Sequence, residues 1–455
     1  MRKGCRRKNT MGPRITAWLL CVSILGVWLP GELCRNQVFA GEKQENIWLE
    51  AKGESEDPES EGAEPESSKS EGIYAEPAPQ LSESVQQLSE PVQQLSEPVQ
   101  QLSEPVQKLS EPVQQLSEPV RQSLGTYSPA LGEITEDSRW TAGQLNGDGT
   151  ITIPTGITLT LGGKVSISGN ITILGGGTIQ REKEGYLYVE EGKSLAMQEI
   201  KLDGCAVSSS QPLIFGMMSS RVSLKGCNFK DCVTEAKNGA AALWMEYGTL
   251  ELNQCSFTDC KSGVGKHGAM YVCYGTSKFT ECTFTGCEAG VDGGAMYIYR
   301  GSAEFKKCTF NDCSGEDGGA VFFSNGTASL ENCAFAGCSA EVEGGAVKAE
   351  YGTVTLNNGT IENCSAKRAG GGIYALQCKK LTIQGGEFKN NSTTGKTGTG
   401  KGGGCIINNG SKLFLNSVTF LNNTSNNRGG CLYNGGNPGT ETYINGGTFT
   451  GNTCT

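Results

Sequence analysis

The chain has 455 residues, 65 of them glycine, with 19% charged residues, one histidine and a formal net charge of −10. Length alone suggests two to four domains, but a glycine-rich chain with so few charges argues for many short strands and turns. The acidic balance excludes a basic nucleic-acid footprint and any electrostatic attraction to an anionic membrane surface.

Residues 1–40 have the form of a secretory signal. Arg2, Lys3, Arg6, Arg7, Lys8 and Arg14 precede the apolar run Ile15 to Leu29, which is short for a membrane span. Val38-Phe39-Ala40 then offers a cleavage site after Ala40; an uncleaved signal anchor is the alternative. Cys34 lacks the small preceding residue of a lipoprotein signal. No later stretch is apolar enough to cross a bilayer, so a secreted or cell-surface chain with no integral span is expected. Residues 41–79 are predicted to be disordered: twelve acids face three lysines between Glu42 and Glu76, with little apolar surface to offset ordering. In residues 80–124, leucines 81, 88, 95, 102, 109 and 116 alternate with valines 85, 92, 99, 106, 113 and 120. That is coiled-coil spacing. Pro91, Pro98, Pro105, Pro112 and Pro119 interrupt it, and each interior proline costs a helix ~3 kcal/mol. An extended spacer is predicted, with a kinked helical oligomer as the competing form.

Residues 125–455 are predicted to be all-β, a right-handed parallel β-helix whose repeats are clearest over 197–455. Large apolar anchors recur at Leu202, Phe229, Phe257, Phe284, Phe310, Phe335, Ile361, Phe388, Phe420 and Phe449. A second apolar residue precedes each by five, from Met197 to Ile444. A small-residue triplet, such as Gly293-Gly294-Ala295, precedes most by about sixteen. A period near 26 residues suits short strands and bends, each strand stacking in parallel on its equivalent ~4.8 Å away. Ten such turns, with opening strands over Thr150 to Ile179, make a rod of roughly 50–60 Å. The longer period of a β-propeller blade does not fit.

Stacking in register gives each column one chemical type. After the triplet, Leu243, Met270, Met296, Val321, Val347, Ile373, Ile406 and Leu432 should point inward. Strand alternation then sends Trp244, Tyr271, Tyr297, Phe322, Lys348, Tyr374, Ile407 and Tyr433 outward. Trp244, Tyr271, Tyr297, Phe322, Tyr374 and Tyr433 form the candidate binding stripe, which either stacks a glycan or host protein or serves as an aromatic ladder for the sheet.

Of 20 cysteines, 17 follow residue 40. One column, three residues after the anchor, runs Cys205, Cys232, Cys260, Cys287, Cys313, Cys338, Cys364, Asn391, Asn423 and Asn452. Another, two before it, holds Cys227, Cys255, Cys282, Cys308 and Cys333. Asparagine cannot replace half of a disulfide, so the first column reads as a structural ladder of small polar groups bonding locally at a bend. Disulfides, usual in secreted cysteine-rich chains, remain the alternative. Cys-x4-Cys with almost no histidine is poor zinc chemistry, and no metal or cofactor is expected.

Gly293-Gly294-Ala295-Met296-Tyr297, Thr309-Phe310-Asn311-Asp312-Cys313, Phe388-Lys389-Asn390-Asn391 and Phe420-Leu421-Asn422-Asn423 together resemble the Gly-Gly-Ala-apolar and Phe-x-x-Asn repeat of the chlamydial-type polymorphic outer membrane proteins. The resemblance covers about residues 200–455. It implies a surface-exposed β-helix passenger serving adhesion, with a host surface protein or glycan as partner. Most Phe-x-x-Asn sites here end in cysteine, and the family's membrane barrel is not in this sequence, so outer-membrane anchoring is not supported by this chain alone. The open final turn, Thr442 to Phe449, suggests a fragment or self-association through that end.

Enzymes also use this fold, and a polysaccharide lyase or glycoside hydrolase is the competing reading. Such sites need clustered carboxylates. The sequence shows no Asp-Asp pair or recurring acid column. Asp292, Glu316, Asp317 and Glu343, before triplets, read as solvated turn acids, and His267 as a turn residue. Gly395 to Lys401 imitates a phosphate loop but lacks its Ser or Thr and a following helix. The expectation is a noncatalytic protein with no catalytic residues.

Overall fold

The computed structural model describes residues 126–127, 129–264, 266–395 and 402–455. The expectations for residues 1–40, 41–79 and 80–124, and for Lys396 to Lys401, lie outside the described residues.

Most turns of the chain are built from four short strands, because four bends interrupt an otherwise alternating sequence. One turn runs Met270–Cys273, Thr276–Thr280, Thr283–Thr285 and Glu288–Ala289. The next repeats it as Met296–Tyr299, Ser302–Lys306, Thr309–Asn311 and Ser314–Asp317. Among the described residues, equivalent strands stack into sheets of 25, 12 and 10 strands. The 25-stranded sheet takes two strands from most turns. The result is a right-handed parallel β-helix.

The register follows the anchors. Leu202 pairs with Phe229, Phe229 with Phe257, and so on through Phe420 with Phe449. The column also extends upstream through Ile179 and Leu159. The rings of Phe229, Phe257, Phe284, Phe310 and Phe335 stack at centroid spacings of 4.5, 4.9, 5.0 and 4.6 Å. Parallel in-register pairing imposes that spacing, and it falls within the range where offset aromatic pairs attract. At the C-terminal strand the same inward columns surface, and Ile444 and Phe449 are 52% and 45% exposed.

The bends depend on left-handed residues. Three residues before every anchor, from Glu199 to Gly446, φ lies between 51° and 70°. Two residues after the anchor stand Asp231, Asp259, Gly286, Asp312, Gly337, Asn363, Asn390, Asn422 and Gly451, with φ of 49° to 66°. Asp, Asn and Gly reach that region at least cost. The Gly-Gly-Ala triplet makes the third bend: Gly293 has φ 60°, and a Cβ on Gly294 would stand 2.2 Å from the carbonyl oxygen of Gly319 in the next turn.

Candidate functional site

The column three after the anchor shows why thiol and amide interchange. Asn391, Asn423 and Asn452 each donate Nδ2–H to the anchor carbonyl of the preceding turn, on Ile361, Phe388 and Phe420, at 2.8, 3.0 and 3.0 Å. The thiols of Cys287, Cys313 and Cys338 donate to the equivalent carbonyls of Phe257, Phe284 and Phe310 at 3.6, 3.7 and 3.5 Å. The asparagines also bond one another: Asn391 Nδ2 donates to Asn423 Oδ1 at 3.0 Å, and Asn423 Nδ2 to Asn452 Oδ1 at 2.8 Å. All seventeen cysteines among the described residues are free thiols, and all but Cys205 and Cys454 are buried. Burial pushes the thiol of Cys378 up to about 11 and that of Cys431 to about 12. In the second cysteine column Cys255 donates to Leu224 O of the preceding turn at 3.5 Å, while Cys227, Cys282, Cys308 and Cys333 donate to the carbonyl two residues back in their own turn at 3.4 to 3.6 Å.

The stripe lies on the outer face of the 12-stranded sheet, in register from Trp244 to Tyr433. It begins earlier than expected, with Tyr188 and Phe215 stacked at 5.7 Å, and Phe215 on Trp244 at 5.7 Å. The expected solvent face needs correction. Tyr271, Phe322, Lys348 and Tyr374 are 8%, 5%, 6% and 1% exposed. Ile407 is buried too; only Trp244, Tyr297 and Tyr433 are half-buried. Alternation points these side chains away from the axis, as expected. The segment returning from the 10-stranded sheet then folds over them. Its residues stack by parallel bridges from His267 to Asp292, Asp292 to Asp317, Glu343 to Ala369 and Ala369 to Gly402, with Asp317 opposite Glu343. His267 stacks on Tyr271 at 4.1 Å and on Tyr297 at 4.8 Å.

That covering segment contains the recurring acid column that sequence reasoning missed. Asp292, Asp317 and Glu343 are stacked neighbours and not solvated turn acids. Lys348, the one charge in the stripe, answers them. Its Nζ lies 2.7 Å from Asp317 Oδ2, 3.2 Å from Glu350 Oε1 and 3.3 Å from Glu343 Oε2. It also sits 5.2 Å from the Phe322 ring centroid and 5.7 Å from that of Tyr374. Burial works against the lysine's charge, but Glu350, Asp317 and Glu343 outweigh it and hold the ammonium protonated. Asp292 lacks such a partner; burial and the nearby Asp317 raise its carboxyl to about 7. Burial raises Glu350 as well, against the pull of Lys348. His267 is pushed well below its ordinary value by burial and by Lys266, so its ring is neutral. The signal was present in the sequence: an aromatic column interrupted by lysine, with acids recurring at the turn spacing.

Chemically, this is a lysine hydrogen-bonded to one carboxylate and ion-paired with two more, beside one carboxyl that titrates near neutrality. Among the described residues no cluster of His, Cys, Asp and Glu has the geometry to hold a metal ion, and no helix is long and apolar enough to cross a membrane.

A parallel solenoid with this stacking defines a class shared by adhesins and polysaccharide-degrading enzymes. The model of the right-handed β-helix region matches residues 155–315 and 262–455. The two matches span well over half of the sequence, and the chain belongs to that family. No curated protein sequence matches the chain significantly.

Proposed function

We propose that the chain is a noncatalytic secreted or cell-surface protein of the adhesion or interaction type, with residues 80–124 as a spacer carrying the β-helix rod. One observation carries this reading. The carboxylates of Asp317, Glu343 and Glu350 are spent on Lys348, packed against the aromatic stripe with only 20%, 9% and 17% of their side chains exposed. A buried charge cluster of this kind fixes register. The resemblance to the chlamydial-type repeat supports the same reading and a host surface protein or glycan as partner. The test is incubation with neutral and acidic polysaccharides alongside binding to cultured cells. Cell binding without new chain ends is expected. Turnover that disappears in Asp292→Asn or Glu343→Gln would overturn it.

The competing reading, a polysaccharide lyase or glycoside hydrolase, has one observation of its own: a carboxyl titrating near 7 beside Asp317. Perturbed carboxyls of that sort gather at catalytic centres. The same incubation decides between the two.

A further inference from the structure

Lys348 and Asp317 meet in a geometry that offers more than an ion pair. The lysine stands on the strand Val347–Glu350, in register between Phe322 and Tyr374 of the neighbouring turns. Its Nζ lies 2.7 Å from Asp317 Oδ2, and its side chain is only 8% exposed. Asp317 belongs to the covering segment of the turn before, and its backbone is tied on both sides. Its N–H donates to Val291 O at 2.8 Å, and its carbonyl accepts from Gly293 N–H at 2.8 Å. The second carboxyl oxygen, Oδ1, accepts the backbone N–H of Glu343 at 3.2 Å. One oxygen of this carboxyl therefore faces an amine and the other a fixed donor, the arrangement that acyl transfer needs.

A third group completes the set. Glu350 Oε1 lies 3.2 Å from the same Nζ. Burial raises its carboxyl, so it can take a proton and return it. Glu343 is less suited to that role, because Arg368 Nη1 also approaches it, at 3.9 Å. The rings of Phe322 and Tyr374 flank Nζ and keep water from it, which disfavours hydrolysis.

We propose that Lys348 and Asp317 condense, unaided by another protein, into an intramolecular isopeptide bond, with Glu350 as the catalytic carboxyl that relays the protons. At rest the carboxylates hold the ammonium protonated, so the reaction begins when Nζ passes a proton to Glu350. The freed electron pair of Nζ attacks Asp317 Cγ, and negative charge gathers on Oδ1 against the Glu343 N–H. The Cγ–Oδ2 bond then breaks. Two protons leave Nζ in all, both reach Oδ2 through Glu350, and the oxygen departs as water. One C–N bond replaces one C–O bond, and no oxidant or cofactor is consumed. Reactants fixed in contact act at effective molarities of ~10⁵–10⁸ M, which is what lets an amide form from an acid and an amine. The product joins residues 31 apart, in two successive turns. It closes a loop in the unfolded chain as a disulfide does, in a protein whose described thiols are all free. This brace concerns how the rod is held and does not depend on what the rod binds.

Intact-mass spectrometry of the full chain tests the bond. The folded chain should be lighter by one water than the sum of its residues. Chymotrypsin, which cuts after Phe323 and Phe335, should release a branched peptide joining Asp317 to Lys348. Trypsin should no longer cut after Lys348. Lys348→Arg keeps the charge without the amine, and its mass should be undiminished. Glu350→Gln should slow the loss of water by about a hundredfold, the usual share of a positioned acid–base group, while both variants keep the β-rich circular dichroism signal. An undiminished mass in the folded native chain after days of incubation would overturn the proposal. So would a loss of water that Lys348→Arg retains, the mark of a succinimide at Asp317-Gly318, or a branch running from Lys348 to Glu343. Cross-linking of Glu350→Gln at the native rate would overturn the role given to Glu350.

Discussion

The turns that end in cysteine and those that end in asparagine build the same bend with different chemistry. From Cys287 to Cys338, a thiol reaches the anchor carbonyl of the preceding turn at 3.5 to 3.7 Å. From Asn391 to Asn452, an amide reaches the equivalent carbonyl at 2.8 to 3.0 Å. The amide does more. Its oxygen accepts from the backbone of the turn before, as when Asn423 Oδ1 takes the N–H of Asn391 at 3.0 Å. The thiol is a weak donor in a small apolar package. The thiol turns are therefore held chiefly by stacked phenylalanines and buried sulfur, and the amide turns by a continuous chain of hydrogen bonds.

The largest effect expected from this difference is at Asn423. Asn423→Ala strips partners from the backbone N–H and Nδ2 of Asn391, from the Phe388 carbonyl and from Asn452. Each buried group left unsatisfied is costly, and a loss of about 3 kcal/mol should appear in urea unfolding. Breaking the outer face should cost as much: Lys348→Met leaves three carboxylates facing one another and should lower stability by about 3 kcal/mol. Asn391→Cys retains a donor but loses the acceptor of the Cys364 N–H, and about 1–2 kcal/mol should go. Cys287→Ala should cost about 1 kcal/mol, a small cavity and one weak bond. A larger loss at Cys287 than at Asn423 would reverse the comparison.

The amide ladder holds no titratable group and should give no pH dependence near neutrality. The outer face should. Asp292 is raised to about 7 in the folded chain from an ordinary 3.8, so between those values the folded form holds a proton that the unfolded form has released. Its contribution is complete below pH ~4 and is lost as pH rises through ~7. Asp292→Asn should flatten that slope and gain on the order of 2 kcal/mol relative to the native sequence at pH 8, allowing for partial exposure. A parallel pair of stability profiles would show that this carboxyl is ordinary.

The β-helix was legible because anchor, triplet and bend recur together over 197–455, and a stacked register forces each column to repeat. The opening turns were harder to read. Leu159 and Ile179 belong to the anchor column, but they come at shorter steps, without phenylalanine or the cysteine that marks later bends. The left-handed columns went unread, although the row from Asp231 to Gly451 displays its requirement in plain composition. The exposure of the stripe failed for a different reason. Alternation decides which way Tyr271 and Tyr374 point; it says nothing of the covering segment, whose path depends on pairing between turns. Lys348 is the residue that joins the two, and it becomes intelligible only when Asp317 is found beside it, 31 residues away in sequence.

The central claim is that the cysteine column is a ladder of free thiols standing where asparagine stands elsewhere. Thiol titration without reductant tests it directly, in a chain with Cys5, Cys21 and Cys34 changed to serine. In native buffer only the two exposed thiols, Cys205 and Cys454, should react quickly; in denaturant the count should rise to all seventeen. A denatured count near one would mean that the columns are disulfide-bonded, and the equivalence of thiol and amide would fall.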